Sequence, residues 1–231
     1  MLGLELSSKI LHSDDSLNEV APSNLHAVEH DGRSFSYNQF CWVAGQLANR
    51  IQQLGLDSAA PVAIMMDRGF GVYASQFAVL SAGRFFLPID PANPDERIKF
   101  LLSDSNANCI LVDSSAAQRI RSLGLDLAVV EVEPELLADK TPESENIAPI
   151  SFPHAGNDPA YMIYTSGSTG KPKGVCIHWD AICNHDRWFI DEYQLAVGDR
   201  CSQIASIGFD ISIEQMFTTL RSGACLVSIT K

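Results

Sequence analysis

The chain has 231 residues, 46% of them hydrophobic and 19% charged, the proportions of a globular protein with one large core or two small ones. Its formal net charge of −12 repels phosphate backbones and anionic bilayers, which argues against nucleic acid and membrane surfaces as partners and means that a nucleotide needs local positive charge to bind. No stretch approaches the roughly 18 uninterrupted apolar residues of a membrane span, Met1 to Leu11 carries Glu5 where a secretory signal needs a basic start and an apolar run, and the six scattered cysteines read as reduced thiols; the expectation is a soluble, cytoplasmic protein.

In chain order, Ser36 to Leu54 places apolar residues at Phe40, Val43, Ala44, Leu47, Ile51 and Leu54, a helical spacing that opens on a Ser36/Gln39 capping box and stops at Gly55. Pro61 to Met66 reads as a buried strand, Gly71 to Ala82 as a helix closed by Gly83, and Phe85 to Ile89 as a second strand. A helix launched by Asn93-Pro94 and running to Ser103, a strand over Cys109 to Val112, a helix over Ala116 to Ser122 and a strand over Leu127 to Val132 continue the alternation. Such a series predicts an α/β fold built on mostly parallel sheets flanked by helices.

Residues 133 to 158 turn acidic and proline-rich, with little periodicity, and predict a long connection between two layers. Beyond it the pattern resumes with strands at Ala160 to Thr165 and Val175 to His178, a helix over Asp180 to Tyr193 and a strand over Arg200 to Ala205. A helix from Ser212 to Leu220, a stop at Gly223 and a strand over Ala224 to Ile229 complete it. That last strand is apolar enough to need cover on both faces, and the expectation is that the chain is the first part of a longer fold.

The strongest local signal runs from Tyr161 to Val175, where an apolar strand enters a loop of glycine, hydroxyl and lysine residues and leaves as another strand. Gly167, Gly170 and Gly174 let backbone N–H groups approach an anion and allow the positive φ that an anion-binding curl requires. Thr165, Ser166, Ser168 and Thr169 add hydroxyl donors, and Lys171 and Lys173 bring positive charge that the chain otherwise lacks. The nucleotide loop Gly-x4-Gly-Lys-Ser/Thr is absent, because Thr165 stands five before Gly170 and Pro172 follows Lys171; the dinucleotide fingerprint and the Gly-x-Ser-x-Gly elbow are absent too. Composition alone leaves a plain solvated connection open.

The run Tyr-Thr-Ser-Gly-Ser-Thr-Gly-Lys-Pro-Lys-Gly at 164–174 resembles the signature of the adenylate-forming superfamily of acyl-CoA synthetases, luciferases and nonribosomal peptide synthetase adenylation domains. Phe35 to Phe40 resembles the family's early Tyr-x-Glu-Leu helix start, with Gln39 and Phe40 departing from Glu-Leu. Leu80 to Asp90 resembles its Leu-Lys-Ala-Gly-x-x-x-Val-Pro-Ile-Asp block. The resemblance is to the N-terminal part only and runs from about Leu25 to Leu226. It implies two stacked α/β subdomains, 25–132 and 159–231, joined by 133–158 and preceded by a lead-in over 1–24.

The resemblance also implies a chemistry. The loop from Thr165 to Gly170, with Lys171, Lys173 and Gly174, would hold the β- and γ-phosphates of ATP, usually with Mg²⁺, while a substrate carboxylate attacks the α-phosphorus to give an acyl-adenylate and pyrophosphate. Thr165 and Lys173 would act catalytically through charge and position. Ile207 to Ser212 resembles the Phe-Asp-x-Ser block of peptide synthetase adenylation domains, in which Asp210 would pair with the α-ammonium of an amino acid, while Ile211 and Glu214 would fall on side-chain pocket positions. A carboxylate buried beside a ligand is costly unless a cation or several donors meet it; the alternative is that Asp210 or Ser212 merely caps the next helix, where Glu214 in the first turn also suits the helix dipole. A carrier protein bearing a phosphopantetheine thiol is the implied acceptor, and the missing C-terminal portion of the enzyme an implied partner. Two other outcomes stand beside this one: a non-catalytic fragment or half of a split enzyme, and an acyl-CoA synthetase-like ligase of another carboxylic acid.

Two features do not fit smoothly. Trp179 stands where the family commonly has a histidine, so His178 is not given that role. Cys176-x-His178 and Cys183-x-His185 repeat a unit of potential zinc ligands, but the spacing matches no common zinc pattern and the two units fall on a strand and a helix; no metal ligand is assigned there.

Overall fold

The computed structural model describes residues 24–142, 147, 150–166 and 171–229. The lead-in expected over 1–24 lies almost wholly outside the described residues, as do Gly167, Ser168, Thr169 and Gly170 of the predicted phosphate loop.

The first element is an antiparallel hairpin of β1 (His26–His30) and β2 (Arg33–Ser36) that apolar periodicity passes over. Its turn is Asp31-Gly32, with φ of 47° and 80°, the double left-handed geometry that matches the twist of paired strands and that Asp-Gly supplies at low strain. Helix α1 (Tyr37–Gln53) begins on the predicted capping box: the Ser36 hydroxyl accepts the Gln39 N–H at 3.2 Å and the Gln39 side-chain carbonyl accepts the Ser36 N–H at 2.8 Å.

Then follow β3 (Val62–Met65), α2 (Phe70–Ser81), β4 (Phe86–Pro88), α3 (Asp95–Asp104), β5 (Cys109–Val112), α4 (Ser114–Ser122) and β6 (Ala128–Glu131), each within a residue or two of its predicted bounds. Among its described residues, the connection 133–158 holds one element that its composition hid, the single-turn helix α5 (Pro134–Ala138); five residues are too few to show a period, although proline at a first helical position is a start signal. The remaining elements are β7 (Pro159–Thr165), β8 (Lys173–His178), α6 (Trp179–Tyr193), β9 (Arg200–Ser202), α7 (Asp210–Arg221) and β10 (Cys225–Ser228). Strand β9 ends three residues early because side chains take over its backbone groups. Arg68 donates to the carbonyls of Ile204 and Ala205, and the Gln215 side-chain carbonyl accepts both of their N–H groups.

Six strands form one sheet in the order β6-β5-β3-β4-β7-β8, and four form another in the order β2-β1-β10-β9. Within both sheets all the pairings are parallel except β1 with β2 and β7 with β8, in keeping with the predicted mostly parallel architecture. Each sheet draws strands from both sides of 133–158, so the boundary between 25–132 and 159–231 does not coincide with a boundary between sheets.

The main core lies where helices meet both sheets. Helix α2 is buried on all sides from Phe70 to Leu80, as an all-apolar helix must be, and packs on α1, α5, β1, β3 and β4. Phe77 at its centre touches three neighbours: Phe217 of α7 at 4.9 Å, Phe40 of α1 at 5.1 Å and Phe152 of the acidic connection at 5.5 Å. A second cluster beneath α3 and α4 covers the other face of the six-stranded sheet. Replacing Ser36 with alanine should lower stability by about 1 kcal/mol through loss of the cap, and Phe77→Ala by about 3–5 kcal/mol through the cavity it leaves, both read from urea unfolding midpoints.

Candidate functional site

The antiparallel pair β7 and β8 is the frame of the predicted loop. Thr165 lies opposite Lys173 and Tyr164 opposite Gly174, so the two strands deliver a hydroxyl and an ammonium group to the same mouth. Thr165, Ser166, Lys171, Lys173 and Gly174 are all exposed. The frame is tied down one residue before Thr165: the Tyr164 hydroxyl donates to Asp104 of α3 at 2.7 Å, and its ring meets Phe100 edge-on at 6.1 Å. Burial, and then the Asp104 carboxylate, push the Tyr164 hydroxyl well above its usual pKa. Gly174 answers a close approach, because a Cβ there would stand 3.2 Å from both Met162 Sδ and the Tyr164 ring.

Strand β7 also leads to a cleft of about 440 Å³, the size of small-ligand sites. Its walls are β7, β8, α6 and α7, and the predicted substrate residues Asp210, Ile211 and Glu214 all line it, together with Tyr161, His185 and Asp186. The structure thus brings together the three substrate-side candidates and places Thr165, with Lys173 opposite it, at the far end of β7. The cap of α7 is Phe209, with no side-chain cap bond. Asp210 sits inside the first turn, where Oδ1 accepts its neighbour's N–H, that of Ile211, at 2.8 Å. Ser212 donates to the Phe209 carbonyl at 2.6 Å. Neither residue is the N-cap that the alternative reading required.

The turn before Asp210 is held from outside α7. The Ser206 hydroxyl bonds the Asp90 carboxylate, at the end of the Leu80–Asp90 block, and the Phe209 N–H bonds the Ser206 carbonyl at 3.1 Å. A smaller cleft of about 230 Å³ lies beside this turn, lined among others by Asp90, Arg97, Tyr164 and Phe209.

Two close polar pairs in the cleft wall escaped the sequence reading. Asp186 of α6 meets Arg221 of α7 at 2.9 Å, with both side chains 4% exposed, and the Arg221 guanidinium lies over the ring of Trp179 at 5.7 Å. Burial pushes the Asp186 carboxyl up to about 6, against the opposing pull of Arg221. The signal was present: Trp179, Ile182, Cys183 and Asp186 share the buried face of α6, so a charged residue stands at an inward position. The second pair is His185 with Glu214, at 3.0 Å. The Tyr161 hydroxyl is pushed up to about 12, by burial first and then by the charges of Asp210, Asp186 and Glu214.

The two Cys-x-His units diverge. His178 turns to the Asn157 carbonyl at 2.5 Å, Cys183 is buried against Arg221, and His185 faces Glu214. Among the described residues no group of three or more His, Cys, Asp or Glu side chains is placed to hold a metal ion, and no helix is long and apolar enough to cross a membrane.

Two sheets sharing a helical core, with a glycine and lysine hairpin at one sheet's edge, make the fold of the N-terminal region of adenylate-forming enzymes. The family model for AMP-binding enzymes matches residues 17–231, and the chain belongs to that family. It is similar to gramicidin S synthase 2 of Brevibacillus brevis, 35% identical over 201 residues that cover 87% of this chain and 4% of that protein. It is also similar to tyrocidine synthase 1 of Brevibacillus parabrevis, 33% identical over 213 residues that cover 92% of this chain and 19% of that protein. Among solved structures, the nonribosomal peptide synthetase FmoA3 bound to α-methyl-L-serine-AMP superposes with a TM-score of 0.77 at 27% identity, over 93% of this chain and 24% of that one. Its AMPPNP-bound form gives 0.72 at 30% identity, over 89% and 21%. The chain therefore spans a small share of the relatives it matches and is most like the N-terminal part of their adenylation modules.

Arg221→Met should destabilise the protein by about 3–5 kcal/mol, because it strands a buried carboxylate, whereas the double change with Asp186→Leu should recover most of the loss; thermal unfolding of the three proteins checks both.

Proposed function

We propose that this chain supplies the phosphate-binding and substrate-binding part of an enzyme that activates an amino acid with ATP, forming an aminoacyl-adenylate and releasing pyrophosphate. The observation that carries the reading is the course of β7. Tyr161 lines the cleft that Asp210 lines, and Thr165, four residues further on, faces Lys173 at the loop mouth. At about 3.3 Å per residue the two points are about 13 Å apart, a span that an amino acid followed by a triphosphate fills.

In this reading the loop from Thr165 to Gly170 wraps the β- and γ-phosphates with backbone N–H groups and hydroxyls, helped by Gly174, while Lys171 and Lys173 neutralise charge in an otherwise acidic molecule. Asp210 receives the α-ammonium, which turns the substrate carboxylate toward the nucleotide. A carboxylate oxygen then attacks the α-phosphorus, the bond to the bridging oxygen of the β-phosphate breaks, and pyrophosphate departs. Mg²⁺ bound with the nucleotide would supply further charge neutralisation there, and the hydroxyls of Thr165 and Ser166 are oxygens at the loop mouth that could help to hold it. FmoA3 in its AMPPNP and α-methyl-L-serine-AMP forms supports the nucleotide and the amino acid as ligands of this fold. Transfer of the aminoacyl group to the pantetheine thiol of a carrier protein is the continuation that the peptide synthetase relatives support.

Exchange of labelled pyrophosphate into ATP, dependent on an amino acid, tests the reading with this chain alone and with this chain extended by the C-terminal portion of an adenylation module. Activity is expected in the extended form. There, Lys173→Ala should reduce the rate by about 100-fold or more, and Asp210→Asn should raise the KM for the amino acid by about tenfold or more through loss of a charged hydrogen bond. Undiminished exchange in both variants would remove these roles.

A further inference from the structure

We infer that the amino acid taken by this cleft carries a second ammonium group at the end of its side chain, as ornithine and lysine do. The inference rests on the activation reading and narrows its substrate. Asp210 and Glu214 are four residues apart on α7, so their side chains rise from one face with Cβ atoms about 5–6 Å apart, and both line the same cleft. Much of the remaining wall is apolar: Ile182 of α6 and Ile213 and Phe217 of α7. Two acceptor-only groups one helical turn apart, over a hydrocarbon surface, complement two ammonium groups joined by methylenes.

The other charges of the cleft sharpen this reading. Asp186 is neutralised by Arg221 inside the wall and has no charge to offer a ligand. His185 is the one basic side chain lining the cleft among the described residues, and its Nε2 lies 3.0 Å from Glu214 Oε2. That ring nitrogen marks a position from which Glu214 takes a donor. With 41% and 31% of the two side chains exposed, the pair sits open enough for a ligand nitrogen to replace or join the imidazole. With Asp186 paired, the cleft presents the two carboxylates of Asp210 and Glu214 against the single basic ring of His185. An anionic side chain would meet two like charges, and a neutral one would leave Glu214 without a ligand partner.

Isothermal titration of the chain with ornithine, lysine, norleucine and glutamate tests the inference. Ornithine or lysine should bind at least tenfold more tightly than norleucine, which has lysine's carbon skeleton without the terminal nitrogen, and glutamate should bind most weakly. Glu214→Gln should bring the diamino acids down to the affinity of norleucine, Glu214→Asp should retain part of the preference, and Asp210→Asn should weaken all four. Norleucine or glutamate binding as well as lysine and ornithine in the unmodified chain, or a cation preference that survives Glu214→Gln, would overturn the inference and leave amino acid activation standing. Failure of every amino acid to bind would overturn both.

Discussion

The packing of Phe77, stacked on Phe217 and edge-on to Phe40 and Phe152, is the contact on which the rest of the molecule turns. It joins the central helix α2 to α1, to the acidic connection and to α7 through one side chain, and aromatic pairs fix orientation as well as bury area. Because Phe217 lies two turns along α7 from Asp210, the same stack that closes the core sets the height and rotation of the helix whose outer face lines the cleft. The site inherits its geometry from a contact that has no chemistry of its own.

Local signals were legible wherever one short segment decides its own structure. The Ser36/Gln39 capping box names both residues and both bonds in advance, and the unbroken apolar run of α2 announces a helix with no solvent face. Asp31-Gly32 carries an equally local signal that a search for apolar periods overlooks, since strands of four and five residues scarcely show a period. What the sequence does not display is pairing at a distance. Nothing in β1 or β10 taken separately says that Val28 will lie beside Leu226, and the division of the chain at its acidic connection follows composition where the sheets follow pairing.

The candidate site divides along the same line. Thr165, Lys173 and Asp210 are candidates because they stand in recognisable runs of residues, and the structure adds how they stand to one another: two at a hairpin mouth, one across a cleft floored by the same strand. Asp186 and Arg221 belong to no run. They meet across two helices, and only the inward position of Asp186 on α6 betrays that a carboxylate has been committed to the interior, where it must find a cation. His185 likewise looks like an idle neighbour of Cys183 until α7 brings Glu214 to it.

The place of β1 between β2 and β10 bears on how the chain reaches this form. His30 and Ser228 stand 198 positions apart in sequence and hydrogen-bond to each other, so during synthesis the four-stranded sheet cannot close until the chain has been made as far as β10. The amino-terminal hairpin can form within microseconds, yet it must stand with one edge unpaired until its partner arrives, which is the condition in which nascent chains associate wrongly. The opposite edge of the hairpin, strand β2, is short and begins with Arg33, which blunts that side against wrong pairing and leaves the edge of β1 as the one that β10 must cover.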